Sequence, residues 1–180
     1  TPVRETRCGE ASTLAATDKL RPALANWLRE QGIRRLVDAG CGDFNWMGAV
    51  DLGELELYAG YDLVPEFIER NQRLYGDRRG HFFSMADITT TPITACDAIL
   101  CRNVLEQLSE EDRRRTLANF SASGARWLLT SLPVGNLLAQ KPAAPAAVLP
   151  DGASGLTAWD LGHTHARPQA QADAGHASAR

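Results

Sequence analysis

Apolar residues recur at Leu14, Leu20, Leu24, Trp27 and Leu28, close to helical spacing, and Gly32 stands where such a helix would stop. The spacing predicts a helix from Ala11 to about Gln31, after an irregular stretch over 1–10. "RRLVDA" (34–39) is then a short apolar strand ending in an acid, and "FNWMGAVDL" after the Gly-Cys-Gly turn reads as a short helix. "LELYAGYD" (55–62) is a second strand. Pro65 opens "PEFIERNQRLYG", a helix with Phe67, Ile68 and Leu74 on one side, because proline suits the first helical turn. "HFFSMAD" (81–87) is a third strand. "CDAILCR" (96–102) is a fourth, nearly all apolar as in a strand buried on both faces of a parallel sheet. Ser109 and the acids after it begin a further helix that Gly124 ends, and "ARWLLTS" (125–131) is a fifth strand. Strands separated by helical segments predict βαβ units with right-handed crossovers, an α/β doubly wound sheet.

Beyond Pro133 the pattern fades. From Lys141 to Arg180 the chain is dominated by Ala, Pro, Gly and His, with Val148, Leu149, Leu156, Trp159 and Leu161 the few large apolar residues. Neither strand alternation nor helical periodicity is visible there. The expectation is one domain over 1–136 and a low-complexity, disordered or aberrant tail over 137–180. A truncated or out-of-frame end and a natural flexible extension are both compatible with that reading.

Composition narrows the function classes. A hydrophobic fraction of 44% and a charged fraction of 23% over 180 residues fit one ordinary globular domain. The formal net charge of −3 argues against a nucleic-acid partner, and the basic run Arg113-Arg114-Arg115 follows three acids, as on a solvated helix face. No apolar stretch approaches the roughly 20 residues that cross a bilayer, and no signal-peptide pattern is visible at the N-terminus, so no membrane partner is expected. Cys8, Cys41, Cys96 and Cys101 form no CxxC pair, which points to reduced cytoplasmic thiols and no metal centre.

In an open α/β sheet, ligands bind beyond the carboxyl ends of the strands. The first strand delivers Asp38, Gly40, Cys41, Gly42 and Asp43 there, the second Asp62, the third Asp87 and Ile88, and the fourth Cys101, Arg102 and Asn103. A carboxylate ending the second strand suits a ribose diol, since its oxygens can accept from both hydroxyls. A solvated turn acid before Pro65 is the plainer alternative for Asp62. Asp87 can accept from an adenine amine or cap the segment that follows it. A dinucleotide fits less well: the third glycine of the fingerprint is replaced by Asn45, and Asp43 would repel a pyrophosphate at a helix N-terminus.

"LVDAGCGDFNWM", "YAGYDLVPEFIERN", "MADIT" and "DAILCRNVLEQLS", with "GEASTL" (9–14) before them, together resemble class I S-adenosylmethionine-dependent methyltransferases over about residues 7–136. The resemblance is nearest to a bacterial group whose substrates are uncharacterised. It implies a Rossmann-like sheet and S-adenosylmethionine as cofactor. By that resemblance the Gly40–Gly42 backbone approaches the methionine part, flanked by Asp38 and Asp43. Asp62 takes the ribose, Leu63 covers the adenine, Asp87 and Ile88 meet its edge, and Cys101 and Arg102 lie beneath the sulfonium. Arg102 and Glu106 are the candidates for a catalytic role. The plainer readings are a surface cation pairing with Glu106 for Arg102 and an exposed helix acid for Glu106. The acceptor is expected to be a small molecule. The family's sheet continues past the fifth strand with an antiparallel pair, and the expectation here is that those C-terminal strands are lacking or degenerate. An active methyltransferase, a non-catalytic cofactor-binding module with an incomplete acceptor site and a nicotinamide oxidoreductase are the competing functions, in that order.

Overall fold

A computed structural model describes residues 5–53, 55–132, 134, 146–150 and 155–162. Five parallel strands form the body of the sheet: β1 (Arg35–Ala39), β2 (Leu57–Asp62), β3 (His81–Met85), β4 (Ala98–Cys101) and β5 (Trp127–Thr130). Two more follow, β6 (Ala147–Leu149) and β7 (Leu156–Asp160), in the order β3-β2-β1-β4-β5-β7-β6. The order reverses between β1 and β4, so a crevice opens at their carboxyl ends.

The C-terminal strands are therefore present, contrary to the expectation that they are lacking or degenerate. β7 pairs antiparallel with β5, placing Leu128 opposite Trp159, and β6 pairs antiparallel with β7. Their sequence signal is weak for a physical reason. β6 has three residues, and β7 buries Leu156, Ala158 and Trp159 within an Ala- and Gly-rich context. Pairing with the edge of β5 supplies the order that local propensity does not. The expectation of a disordered tail otherwise falls on 137–145, 151–154 and 163–180, which lie outside the described residues.

Among the described residues three helices cover the sheet: α1 (Leu20–Glu30), α2 (Pro65–Tyr75) and α3 (Glu110–Ala122). α1 and α2 share one face, where Leu24, Trp27 and Leu28 pack with Leu36, Leu100 and Leu129. α3 covers the other, where Leu117 and Phe120 pack with Val37, Ile99, Cys101, Leu128 and Trp159. Ser109 caps α3 by accepting from the Asp112 amide at 3.1 Å. α1 begins nine residues later than its apolar spacing predicts. Residues 14–19 form turns instead, and a short 3-10 turn lies at Glu10–Ser12. The helix expected after the Gly-Cys-Gly turn is likewise only a 3-10 turn over Met47–Ala49. No helix among the described residues is long and apolar enough to cross a membrane.

Candidate functional site

The loop after β1 turns sharply because two of its residues lack a side chain. Gly40 has φ 96°, and a Cβ there would meet Val104 Cγ2 at 2.3 Å; Gly42 has φ 55°, and a Cβ there would meet Cys8 Sγ at 2.4 Å. The amides of Gly40 and Cys41 both donate to the Tyr61 carbonyl, which ties the loop to β2. Phe44 also takes a positive φ, 57°, costly for a bulky side chain. Its ring is offset against that cost by burial among Tyr58, Tyr75, His81 and Phe83, with centroids 4.8 to 6.0 Å away.

A cavity of about 600 Å³ lies over this loop. Its lining brings together Asp38, Gly40, Cys41, Gly42, Asp43, Asp62, Leu63, Asp87, Ile88 and Arg102, residues drawn from four separate strand ends. Cys101 and Glu106 are not part of it. Strand alternation turns the Cys101 side chain to the opposite face, against Leu117 and Phe120, and Glu106 is exposed on the 3-10 turn Leu105–Gln107. Burial pushes the thiols of Cys41 and Cys101 up, so both remain protonated.

Each acid of the cavity has a distinct environment. Asp62 accepts from the Gly42 amide at 2.8 Å through Oδ2 and from the Val64 amide at 2.9 Å through Oδ1, which fixes the carboxylate at the end of β2. A carboxylate has about four acceptor positions, so capacity remains for two hydroxyls. Leu63 beside it is 62% exposed, an apolar surface turned into the cavity. Asp87 Oδ1 accepts from the amide and hydroxyl of Thr89, at 2.9 and 2.7 Å, and these bonds hold its pKa below the ordinary carboxylate range. Asp38 is buried. Desolvation raises its pKa to about 7, while the Tyr58 hydroxyl donating at 2.5 Å and the charge of Arg102 oppose the rise.

Asp43 also ties down the N-terminal segment. Its Oδ2 accepts from the Thr6 hydroxyl at 2.8 Å and the Arg7 amide at 2.7 Å, and its own amide donates to Cys8 Sγ at 3.2 Å. Asn45 Nδ2 donates to Glu5 Oε1 at 2.8 Å and to the Ser12 carbonyl at 3.0 Å. Asp43 and Asn45 thus staple residues 5–12 as a strap across the mouth of the loop. Only the 3-10 turn Met47–Ala49 follows this loop, so Asp43 does not stand at the N-terminus of a long helix. Arg7, Cys8 and Ser12 of the strap join the lining, with Trp46, Phe67 and Asn103. The Arg7 guanidinium lies over the Phe67 ring at 5.4 Å, and burial raises the Cys8 pKa to about 11. Asn103 was expected at the end of the fourth strand, and Ser12, Trp46 and Phe67 stand within the quoted motifs, but Arg7 and Cys8 carried no such signal, since their partner Asp43 stands 35 or more positions away. Among the described residues no group of His, Cys, Asp and Glu could hold a metal ion.

Residues 37–122 match a family model described as a methyltransferase domain. No curated protein sequence matches the chain. Among solved structures, the methyltransferase domain of bacterial CtHen1 shares 17% identity, with a TM-score of 0.56, over 64% of this chain and 65% of that one. The magnesium protoporphyrin IX methyltransferase of Synechocystis PCC 6803, solved with bound S-adenosylmethionine, shares 14% over 81% and 78%, with a TM-score of 0.61. A TehB-like methyltransferase from Corynebacterium glutamicum shares 20% over 76% and 85%, with a TM-score of 0.57. These likenesses establish the fold, and the chain spans just under two thirds of the first. Residues 37–122 therefore carry a methyltransferase domain of the class I kind, whose methyl donor is S-adenosylmethionine.

Proposed function

We propose that the chain transfers the methyl group of S-adenosylmethionine to a small-molecule acceptor. The observation that carries this reading is the convergence of Asp62, Asp87 and the Gly40–Gly42 backbone on one cavity of about 600 Å³, large enough for a nucleoside and more. Asp62 binds the ribose hydroxyls, already oriented by the Gly42 and Val64 amides. Leu63 and Ile88 cover the adenine, and Asp87 accepts at its edge through Oδ2, the oxygen that Thr89 does not use. The Gly40–Gly42 backbone receives the methionine part, with Asp38 beneath it. Bound there, the cofactor supplies an electrophilic methyl on a sulfonium. The protein's part is orientation and exclusion of water, and well-aligned reactants gain about 7–11 kcal/mol from such placement. The strap serves exclusion, since its Arg7, Cys8 and Ser12 form part of the cavity wall. A cytoplasmic setting, in which four unpaired thiols stay reduced, belongs to the same reading.

Calorimetric titration with S-adenosylmethionine, S-adenosylhomocysteine and NAD in parallel tests it. Micromolar binding of the first two and none of NAD is expected. Asp62→Ala is expected to weaken the first two by about 10- to 100-fold, the worth of charge-assisted bonds to two hydroxyls. Asp62→Asn, which keeps the shape, controls for folding. Binding of NAD, or a Kd for S-adenosylhomocysteine unmoved by either variant, refutes the reading.

A further inference from the structure

α2 buries a single residue, and that residue is polar. Asn71 is 0% exposed, although asparagine is a poor helix former and costly to desolvate. Its Nδ2 donates to the Gly42 carbonyl at 2.7 Å, while the buried Oδ1 meets no hydrogen-bond partner. A half-satisfied buried amide weakens a fold relative to an apolar side chain of the same size, so its presence asks for a reason other than stability. Asn71 is not part of the cavity lining, and it acts there only through Gly42. We propose that Asn71 is a positioning residue, locking the Gly42–Asp43 peptide in the orientation that receives the methionine part of the cofactor; this rests on the cofactor reading.

The surroundings of that peptide show why a lock is needed. Gly42 has no Cβ and takes φ 55°, so the peptide that follows it turns with little steric resistance. The N–H of the same peptide, that of Asp43, donates to Cys8 Sγ at 3.2 Å, and a thiol sulfur is a weak acceptor. The peptides on either side are tied by charged groups. The Gly42 N–H donates to the Asp62 carboxylate at 2.8 Å, and the Asp43 carbonyl accepts from Arg70 Nη1 at 2.8 Å. Asn71 is the strong hold on the peptide between them.

The consequence falls on one end of the cavity. Leu63, Asp87 and Ile88 form the adenine side from the ends of β2 and β3, and they make no bond to this peptide. Gly40, Cys41 and Gly42 form the side that takes the methionine part. With Asn71 in place the Gly42 carbonyl points to α2. Once that bond is lost, the peptide is free to turn and to change the backbone surface on the methionine side, while the adenosine side keeps its shape. Asn71 and Asp62 hold Gly42 from its two ends, so α2 and the ribose acid that precedes it set the loop together.

The test compares S-adenosylhomocysteine with 5′-methylthioadenosine, which keeps the adenosine and the thioether but lacks the amino-acid group, by calorimetric titration of the full chain. Asn71→Leu removes the donor at nearly constant volume, Asn71→Ala stands in should leucine not be accommodated, and urea unfolding checks that each is folded. The parent is expected to prefer S-adenosylhomocysteine. Asn71→Leu is expected to lose about tenfold of that preference, with its affinity for 5′-methylthioadenosine held within about twofold. Its urea midpoint should stay near the parent's, since the Gly42 carbonyl left unpaired replaces the unpaired Oδ1 that is removed. Without ligand, hydrogen exchange at the Asp43 amide should quicken in the variant, while the Gly42 amide, held by Asp62, keeps its protection. An unchanged preference, unchanged exchange at Asp43, or both ligands weakened alike overturns the proposal, the last because it marks a merely structural residue. Failure of the parent to bind S-adenosylhomocysteine is a separate outcome: it removes the cofactor reading, and this role with it.

Discussion

Replacing Asp38 with asparagine separates what this carboxyl does for the fold from what it does for the site. Burial raises its pKa from 3.8 to about 7. In the unfolded chain it ionises at the lower value, so between pH 4 and pH 7 the folded state carries the extra proton, and stability from this group falls as pH rises. At 1.36 kcal/mol per unit, a rise of about three units makes the folded protein about 4 kcal/mol less stable at pH 8 than at pH 4 on this account alone. Asparagine has no such titration, and its carbonyl can still accept from the Tyr58 hydroxyl that now donates at 2.5 Å. Urea unfolding of both proteins at pH 4.5 and pH 8 measures the difference. Asp38→Asn is expected to gain on the parent as pH rises, by about 3 kcal/mol or more across the interval. A stability difference that stays constant with pH, or that moves in the parent's favour, refutes the assignment of a buried, desolvated carboxyl.

The strap and the C-terminal strands give the remaining tests. Asp43→Ala leaves the Thr6 hydroxyl and the Arg7 amide without their acceptor, a loss of about 3 kcal/mol for two charge-assisted bonds. Hydrogen exchange should then quicken at residues 7–12 while α3 is unaffected, and unchanged protection of the strap would contradict the staple. Trp159→Ala should cost about 3–5 kcal/mol in urea unfolding, because the indole is buried between β7 and α3. Trp159→Phe should be much milder, since the buried indole N–H has no partner to lose. An alanine variant as stable as the parent would mean that β7 does not dock.

How much was legible in the chain depended on whether an element announces itself locally. β1, β4 and β5 are short runs buried on both faces, and Ser109 and Gly124 bracket α3, so their boundaries appear within a residue or two. The acids that end β1, β2 and β3 could be placed on one crevice because parallel topology puts every strand's carboxyl end on the same side. What was missed depends on distant partners. Asp43 lines the cavity as expected, but its bonds to Thr6 and Arg7, which reach it from the other end of the loop, left no trace in its own neighbourhood. Cys101 looks like a site residue until strand alternation turns it toward Phe120. β6 and β7, rich in alanine and flanked by proline and glycine, become strands because β5 offers an edge to pair with, a cause absent from their own residues.

The place of β7 in the sheet also sets an order of events during synthesis. β5 is laid down as "WLLT", and its outer edge stays bare until residues 156–160 have been made and folded back to cover it. Throughout that interval the nascent chain shows a short, apolar strand with unpaired amides and carbonyls, the kind of edge that recruits other chains. The alanine- and proline-rich connection between the two strands is a poor partner for such an edge. Proline lacks the N–H that pairing requires, and alanine adds little sticky surface. The weak β-propensity that hides these strands from a reader of the sequence thereby also keeps the connecting chain from occupying β7's slot before β7 exists.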